Sequence, residues 1–343
     1  MLGIGLIGYG YWGPNLARVA AQNPRARLLA IADRDEAALE RARRQHPGTR
    51  RTREWQEIVD NAEISAVLIS TPVNSHFEMA LAALSAGKHV LVEKPMARSS
   101  AQCAFLVGEA AQRSLTLMVD HTFLYTPAVR RIKEMTDAGE LGRILYYDST
   151  RINLGLVQRD VNVVWDLAVH DLAILDHLFE AAPQAISANG GDMLGAAHET
   201  LAHVTLYYGD GAMAHINTNW LSPVKMRRTL IGGTRKMVVY DDLEPDEKLK
   251  VYDRGAALNA CETEDRRARL VSYRTGDMWA PHLPLGEALA IEFEHFTDCI
   301  ETGARPLTSG SMGLRIVEML EAASCSLAQR GQPVELSRLR MAS

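Results

Sequence analysis

The sequence predicts an α/β chain in two domains. A parallel sheet with crossover helices runs to about residue 121, and an α+β domain with a large, mainly antiparallel open sheet fills 122–343. Three observations predict this. A glycine-rich turn follows the first apolar run, apolar runs alternate with amphipathic stretches as far as residue 121, and beyond it the strand-like runs show alternating residue types.

In the first part the candidate strands are "IGLIG", "RLLAIAD", "SAVLIS", "HVLVEK" and "LTLMVD". Helix-like segments such as "EAALERARRQ" and "HFEMALAALSAG" lie between them, the second closing at Gly87, where a C-terminal helix cap is expected. After a helix over Pro127 to Ala138 come "ILYYDSTRIN", "AHVTLYYGDGAMAHINTNW", "RRTLIGGTRKMVVYD" and "LKVYDR", with hairpins expected around Gly209-Asp210-Gly211 and within "TLIGGTRKMVV". The stretch "VVWDLAVHDLAILDHLF" reads as a helix before the hairpins, and two helices end the chain. An antiparallel sheet covered on one face leaves the other for a second copy, so a homodimer or homotetramer is expected.

Composition bounds the function. The 343 residues, 47% of them hydrophobic, can build two cores. A net charge of −5 with both signs interspersed offers nothing to nucleic acid or an anionic membrane. No apolar run reaches the roughly 20 residues of a membrane span. Cys103, Cys261, Cys299 and Cys325 are dispersed, forming neither a disulfide framework nor a zinc motif, so a reducing cytoplasm is the expected compartment.

The run "GIGLIGYGYWGPNL" places Gly8, Gly10 and Gly13 directly after an apolar strand, with Tyr11 and Trp12 between them and Pro14 where the first turn of a helix tolerates a missing N–H. Gly8 allows the tight turn, Gly10 lets the backbone approach a pyrophosphate, and Gly13 lets the helix pack on the strand. Asp33 closes the second strand twenty residues after Gly13, where a carboxylate accepts both ribose hydroxyls of an adenosine and repels a 2′-phosphate. NAD is therefore the expected cofactor. Arg34 keeps NADP open, because a guanidinium beside the ribose can receive a phosphate or stack on adenine. A helix N-cap is the alternative role for Asp33.

Further polar groups fall at the carboxyl ends of strands, where open α/β sheets bind ligands. Thr71, Pro72, Asn74 and His76 follow "AVLIS" and are candidates to line the nucleotide, with helix capping as the other reading of His76. Glu93-Lys94-Pro95 ends the fourth strand, so Lys94 points toward the crevice unless it pairs with Glu93 at the surface. In "WDLAVHDLAILDHLF", Asp166 and His170 stand four residues apart on one helical face, as a carboxylate orienting a general base requires, or as a surface hydrogen bond. His170, Asp171, Asp176 and His177 share no single face, so no metal site is expected.

Taken in order, the N-terminal glycine fingerprint, the acidic end of the second strand, T-P-x-x-x-H at 71–76, E-K-P at 93–95 and D-x-x-x-H at 166–170 resemble the Gfo/Idh/MocA family of nicotinamide-dependent sugar and cyclitol oxidoreductases. The resemblance spans nearly the whole chain. It implies a Rossmann domain, an α+β domain whose open sheet mediates oligomers, Lys94 at the reacting hydroxyl and the nicotinamide, His170 as acid/base, and Asp166 holding it. Gly8, Gly10, Gly13, Asp33, Thr71 and His76 match cofactor positions. "GYGYWGPNL", "HTFLYTPAV" and "STRINLGLVQRDVNVVWDLAVHD" are similar to a branch assigned to nucleotide sugars of the UDP-N-acetylglucosamine type or its uronate. Where many relatives carry an arginine after the fifth strand, this chain reads His121-Thr122-Phe123-Leu124-Tyr125.

The expected activity is hydride transfer between a ring CH–OH and nicotinamide. Arg151 and Asn153, i and i+2 on one strand, together with Tyr125, Asn162 and Trp165, are candidates to bind the sugar, and Arg151 is the preferred partner for an anionic group. An inositol or free-sugar dehydrogenase is the alternative enzyme. A dinucleotide-sensing regulator without turnover is the alternative of another class.

Overall fold

The computed structural model describes residues 1–155, 157–158, 160–258 and 271–336, with the side chains of 256–258 and 271–273 excepted. Cys261 and, within the 149–171 stretch, Leu156 and Arg159 lie outside the described residues. The chain divides into two compact units. One comprises Met1–Thr126 together with Gly286–Glu321, and the other comprises Pro127–Leu285 together with the segment from Ala322.

The first unit is a six-stranded parallel sheet. Its strands and helices alternate as β1 (Leu2–Ile7), α1 (Gly13–Gln22), β2 (Ala26–Ala32), α2 (Glu36–Gln45), β3 (Arg50–Thr52), α3 (Gln56–Asp60), β4 (Ala66–Ile69), α4 (His76–Ser85), β5 (His89–Glu93), α5 (Ser100–Gln112) and β6 (Leu117–Asp120). The order β3-β2-β1-β4-β5-β6 reverses between β1 and β4, which puts the ligand crevice of a doubly wound sheet at their carboxyl ends. The central strands are unbroken apolar runs because helices cover both faces: every residue of β4 is buried. Five strands match the sequence expectation. The sixth, β3, reads Arg-Arg-Thr and pairs only at the edge beside β2, so no apolar pattern marks it.

The second unit opens with α6 (Pro127–Asp137) and β7 (Ile144–Leu154), then a π-helical turn (Val164–Ala168) that runs into α7 (Val169–Leu178). The strands β8 (Ala185–Gly191), β9 (Leu201–Tyr207), β10 (Met213–Asn219), β11 (Leu221–Gly233), β12 (Met237–Asp241), β13 (Leu249–Tyr252), β14 (Gly255–Leu258), β15 (Val271–Arg274) and β16 (Met278–Trp279) follow. The helices α8 (Ala288–Thr302) and α9 (Gly310–Ala328) and the short β17 (Val334–Glu335) complete the chain. Nine strands form one sheet in the order β16-β13-β12-β11-β7-β10-β9-β8-β17. All its pairs are antiparallel except β7 with β10, which run parallel. Both expected hairpins form, β9–β10 around Gly211 at φ +85° and β11–β12 with Gly232 opposite Met237. Along β7, Tyr147, Ser149 and Arg151 are buried toward α7, whereas Tyr146 and Asp148 are exposed on the other face.

The domain boundary departs from a single cut at 121/122, because Gly286–Glu321 returns to the first unit. Helix α8 buries Leu289, Phe293 and Phe296 there, Arg18 pairs with Glu287, and Arg25 bonds Asp298 at 2.6 Å. Ser309 bridges Met118 antiparallel, and Gly310 and Gly313 let α9 approach Leu117 and Val119. An amphipathic helix shows in sequence that it covers a core, not which core.

Candidate functional site

On the first unit the glycine turn has the geometry a pyrophosphate needs. Gly8 sits at φ +97°, a conformation that favours glycine, and a Cβ on it would come 2.6 Å from the Ser70 carbonyl oxygen. A Cβ on Gly13 would lie 2.2 Å from the Gly8 carbonyl oxygen, so α1 can begin against the turn only without a side chain at that position. At Gly10 a Cβ would meet nothing within 4 Å. Its backbone borders open space, as a cradle for a dinucleotide requires. Pro14 occupies the first turn of α1, and Tyr11 is exposed.

Asp33 lies beside this turn. Its Oδ2 accepts the Tyr9 amide at 2.5 Å and its Oδ1 the Asp35 amide at 2.9 Å, which fixes the carboxylate at the end of β2. The helix N-cap is Asp35, whose side chain accepts from the Ala37 amide, so the capping alternative for Asp33 is set aside. Arg34 is exposed next to it. These residues fit an NAD adenosine and pyrophosphate.

At the end of β4, Thr71 accepts from the Ser75 hydroxyl, while Pro72 and Asn74 are exposed. His76 is buried, with Nδ1 at 2.9 Å from the Pro95 carbonyl oxygen and Nε2 at 2.7 Å from that of Thr71. It ties the loop after β4 to the loop after β5, a role that fits neither helix capping nor catalysis.

The ends of β5 and β6 carry Lys94 and a group of acids. Glu93 Oε2 accepts the Lys94 amide at 2.8 Å. Desolvation and the neighbouring Asp120 push the Glu93 carboxyl well above the ordinary carboxylate range. Asp120 accepts the Trp12 indole Nε1–H at 2.6 Å and the Thr122 hydroxyl. Trp12 therefore joins the glycine turn to β6. His121 is 1% exposed, and neither ring nitrogen has a hydrogen-bond partner among the described residues. Burial and the Lys94 charge hold its pKa down at about 3, so the ring is neutral at physiological pH. Tyr125, expected at the sugar, is buried instead, with its hydroxyl 3.3 Å from Thr308 Oγ1 and its ring against His295.

On the second unit, the D-x-x-x-H pair straddles the junction of the π-helical turn and α7. Such turns are rare and recur at functional sites. Asp166 Oδ2 accepts the Trp220 indole N–H at 3.0 Å, and Asp166 and His170 are both half-buried. Asn162 caps the turn, its Oδ1 accepting the Trp165 amide at 3.1 Å and its Nδ2 donating to Glu199 at 2.9 Å. The Trp165 indole donates to Ser324 at 2.8 Å. Both side chains are half-buried and tied to the protein by these bonds.

The expectation for Arg151 is corrected. Its side chain is 5% exposed and its Nε bonds Asp171 Oδ2 at 2.8 Å, while Asp171 also accepts the Tyr147 hydroxyl at 2.9 Å and the Ser149 hydroxyl at 2.6 Å. The Nε edge of the guanidinium stitches β7 to α7, so that edge is taken up within the protein. Asn153, two residues along the same face, is half-buried near Gly155.

Two buried acids escaped the sequence reading, Asp120 and Glu292. Asp120 ends β6 as Asp33 and Glu93 end their strands or the residues just after, a positional signal that was present. Glu292 falls on the apolar stripe of Leu289, Phe293 and Phe296 and is fully buried. A lone acid at such a position is the signal that could have found it. Among the described residues no group of three or more metal-ligating side chains converges, and no helix is long and apolar enough to cross a membrane.

Residues 2–121 match the model of an oxidoreductase family with an NAD-binding Rossmann fold, and residues 129–239 match the Gfo/Idh/MocA C-terminal domain. A scyllo-inositol 2-dehydrogenase (NAD(+)) from Bacillus subtilis (strain 168) is 23% identical over 98% of this chain and 95% of its own. A UDP-N-acetylglucosamine 3-dehydrogenase from Acidithiobacillus ferrooxidans superposes with a TM-score of 0.80 at 25% identity, covering 96% of this chain and 98% of that one. Levoglucosan dehydrogenase in complex with NADH and levoglucosan gives a TM-score of 0.83 at 23% identity, covering 98% and 99%. With both of its units matched in order, the chain belongs to the Gfo/Idh/MocA family and is an NAD-dependent oxidoreductase.

Proposed function

We propose that the protein oxidises a ring CH–OH of a sugar or cyclitol, with Lys94, His170 and Asp166 as its catalytic groups. The observation that carries this reading is Lys94 at the carboxyl end of β5, on the ligand-binding edge of a family Rossmann sheet. NAD, when bound, accepts the hydride that leaves the carbon. The His170 imidazole takes the hydroxyl proton, Asp166 holds and polarises that imidazole, and the Lys94 ammonium stabilises the oxygen as negative charge develops on it. Loss of H⁻ and H⁺ from the alcohol leaves a ketone, NADH and a proton.

Substitution tests the assignment. General-base assistance is worth about 10²–10⁴-fold and a positioned charge about 10²–10³-fold. His170→Ala and Lys94→Ala should lower kcat by those factors while calorimetry finds NAD affinity little changed. Full turnover in either variant would exclude it from the reaction.

A finer reading places a nucleotide sugar of the UDP-N-acetylglucosamine type, or its uronate, in the site. The full-length likeness to a UDP-N-acetylglucosamine 3-dehydrogenase supports it, and the burial of Arg151 against Asp171 weighs against it. A panel of UDP-sugars, inositols and anhydrosugars, followed by NADH absorbance, separates the two. The exposed face of the nine-stranded sheet, with Tyr146, Met213 and Met226, is proposed to seat a second copy in a homodimer or homotetramer. Light scattering that reports a monomer at micromolar concentration would rule this out.

A further inference from the structure

Three carboxyl groups converge inside the first unit: Glu93 at the end of β5, Asp120 at the end of β6 and Glu292 on α8. Their hydrogen-bond geometry differs. Asp120 is the target of two donors, the Trp12 indole at 2.6 Å on Oδ2 and the Thr122 hydroxyl on Oδ1. Glu292 is 0% exposed and neither of its oxygens accepts a hydrogen bond from an N–H among the described residues. The hydroxyl of Thr122, which is close to it, spends its hydrogen on Asp120. Asp120 interacts with it directly, and that group is an acceptor.

Two buried carboxyl groups in contact are tolerated only when a proton lies between them. The donors aimed at Asp120 mark it as the acceptor, which leaves the proton on Glu292. We propose that Glu292 is a positioning residue for the dinucleotide loop: its protonated carboxyl donates to Asp120, and Asp120 in turn holds the indole of Trp12 within the glycine turn.

The surroundings agree. The titratable groups that face this cluster are Glu93 and Lys94 from β5 and its end, His121 and Tyr125 from the turn after β6, and Cys299 on α8. Desolvation and Asp120 both push Glu292 well above the ordinary carboxylate range, and Glu93 shifts the same way. Four groups, Trp12, Thr122, Glu93 and Glu292, thus surround one carboxylate, matching its four lone-pair sites. The inference concerns how the NAD loop is held and does not depend on which alcohol is oxidised.

The test uses the full-length protein and NAD binding by calorimetry. Glu292→Gln offers an amide N–H in place of the acid O–H and should bind NAD like the wild type. Glu292→Leu removes a donor from Asp120 and should weaken binding about tenfold. In a Trp12→Phe background the leucine substitution should add little, because the indole through which Glu292 acts is gone. Infrared difference spectroscopy at neutral pH gives an independent readout: the wild type should show a protonated-carboxyl C=O band that Glu292→Gln lacks. Loss of affinity in the glutamine variant as large as in the leucine variant, or no band lost on that substitution, overturns the proposal. Should Glu292→Leu not fold, the glutamine affinity and the infrared band still decide it.

Discussion

Asp171 and Arg151 meet across the helix–sheet contact of the second unit, Nε to Oδ2 at 2.8 Å, with the carboxylate wholly out of solvent. Removing one partner of a buried pair strands the other's charge, which destabilises by about 3–5 kcal/mol. Asp171→Ala should lose stability on that scale in urea denaturation. Arg151→Ala should do the same, and its effect on activity should follow the folded fraction rather than a raised KM for one class of substrate.

The glycine turn separates folding from binding. Gly13→Ala forces a Cβ to 2.2 Å from the Gly8 carbonyl oxygen and should lower the stability of the protein without cofactor by about 1–3 kcal/mol. Gly10→Ala enters open space, so its melting temperature should match the wild type. Its methyl group occupies the approach of the pyrophosphate, however, and NAD affinity should fall. Thermal melts and NAD titrations of the two variants should show opposite patterns.

Asp33 sets the choice of dinucleotide. A hydrogen bond to a charged group contributes about 1.5–3 kcal/mol, so Asp33→Ala should weaken NAD about 10- to 100-fold. NADP should suffer less, because the repelled 2′-phosphate gains from the lost charge and meets the exposed Arg34. The ratio of the two dissociation constants measures the effect.

Acid should act through His121. Its folded pKa, near 3, lies below the ordinary 6.5, so above pH 6.5 the ring is neutral in both states and its contribution to stability is complete. As pH falls through the interval from 6.5 to 3, the unfolded chain takes up a proton that the folded one refuses, and stability drops. From pH 7 to pH 5 the wild type should lose about 2 kcal/mol more than His121→Phe, read from denaturant midpoints. Glu93 and Glu292, whose carboxyl pKa values are raised, act in the opposite sense in both proteins, so the comparison isolates the imidazole.

Where a residue's task is set by its neighbours in sequence, it was legible. Gly8, Gly13 and Asp33 stand at fixed offsets from one strand, and the structure finds them in the geometry those offsets require. Arg151 was not, because its partner lies twenty residues away and an arginine on a strand looks the same whether it faces a ligand or a buried aspartate. The π-helical turn beneath Asp166 was hidden for another reason: apolar spacing does not distinguish an i→i+5 turn from an α-helical one. His76 reads in sequence as a nucleotide-lining or helix-capping residue, and only the fold shows that two carbonyl oxygens flank its ring.

The return of Gly286–Glu321 to the first unit has a consequence for biosynthesis. A ribosome that has released residue 126 has made every strand of the parallel sheet but not α8, whose Leu289, Phe293 and Phe296 complete its core. The nascent N-terminal segment must therefore wait, partly uncovered, while some 160 further residues emerge. Truncation anywhere between 126 and 286 leaves that segment without its lid of apolar side chains, and chaperone dependence should be concentrated in that interval of elongation.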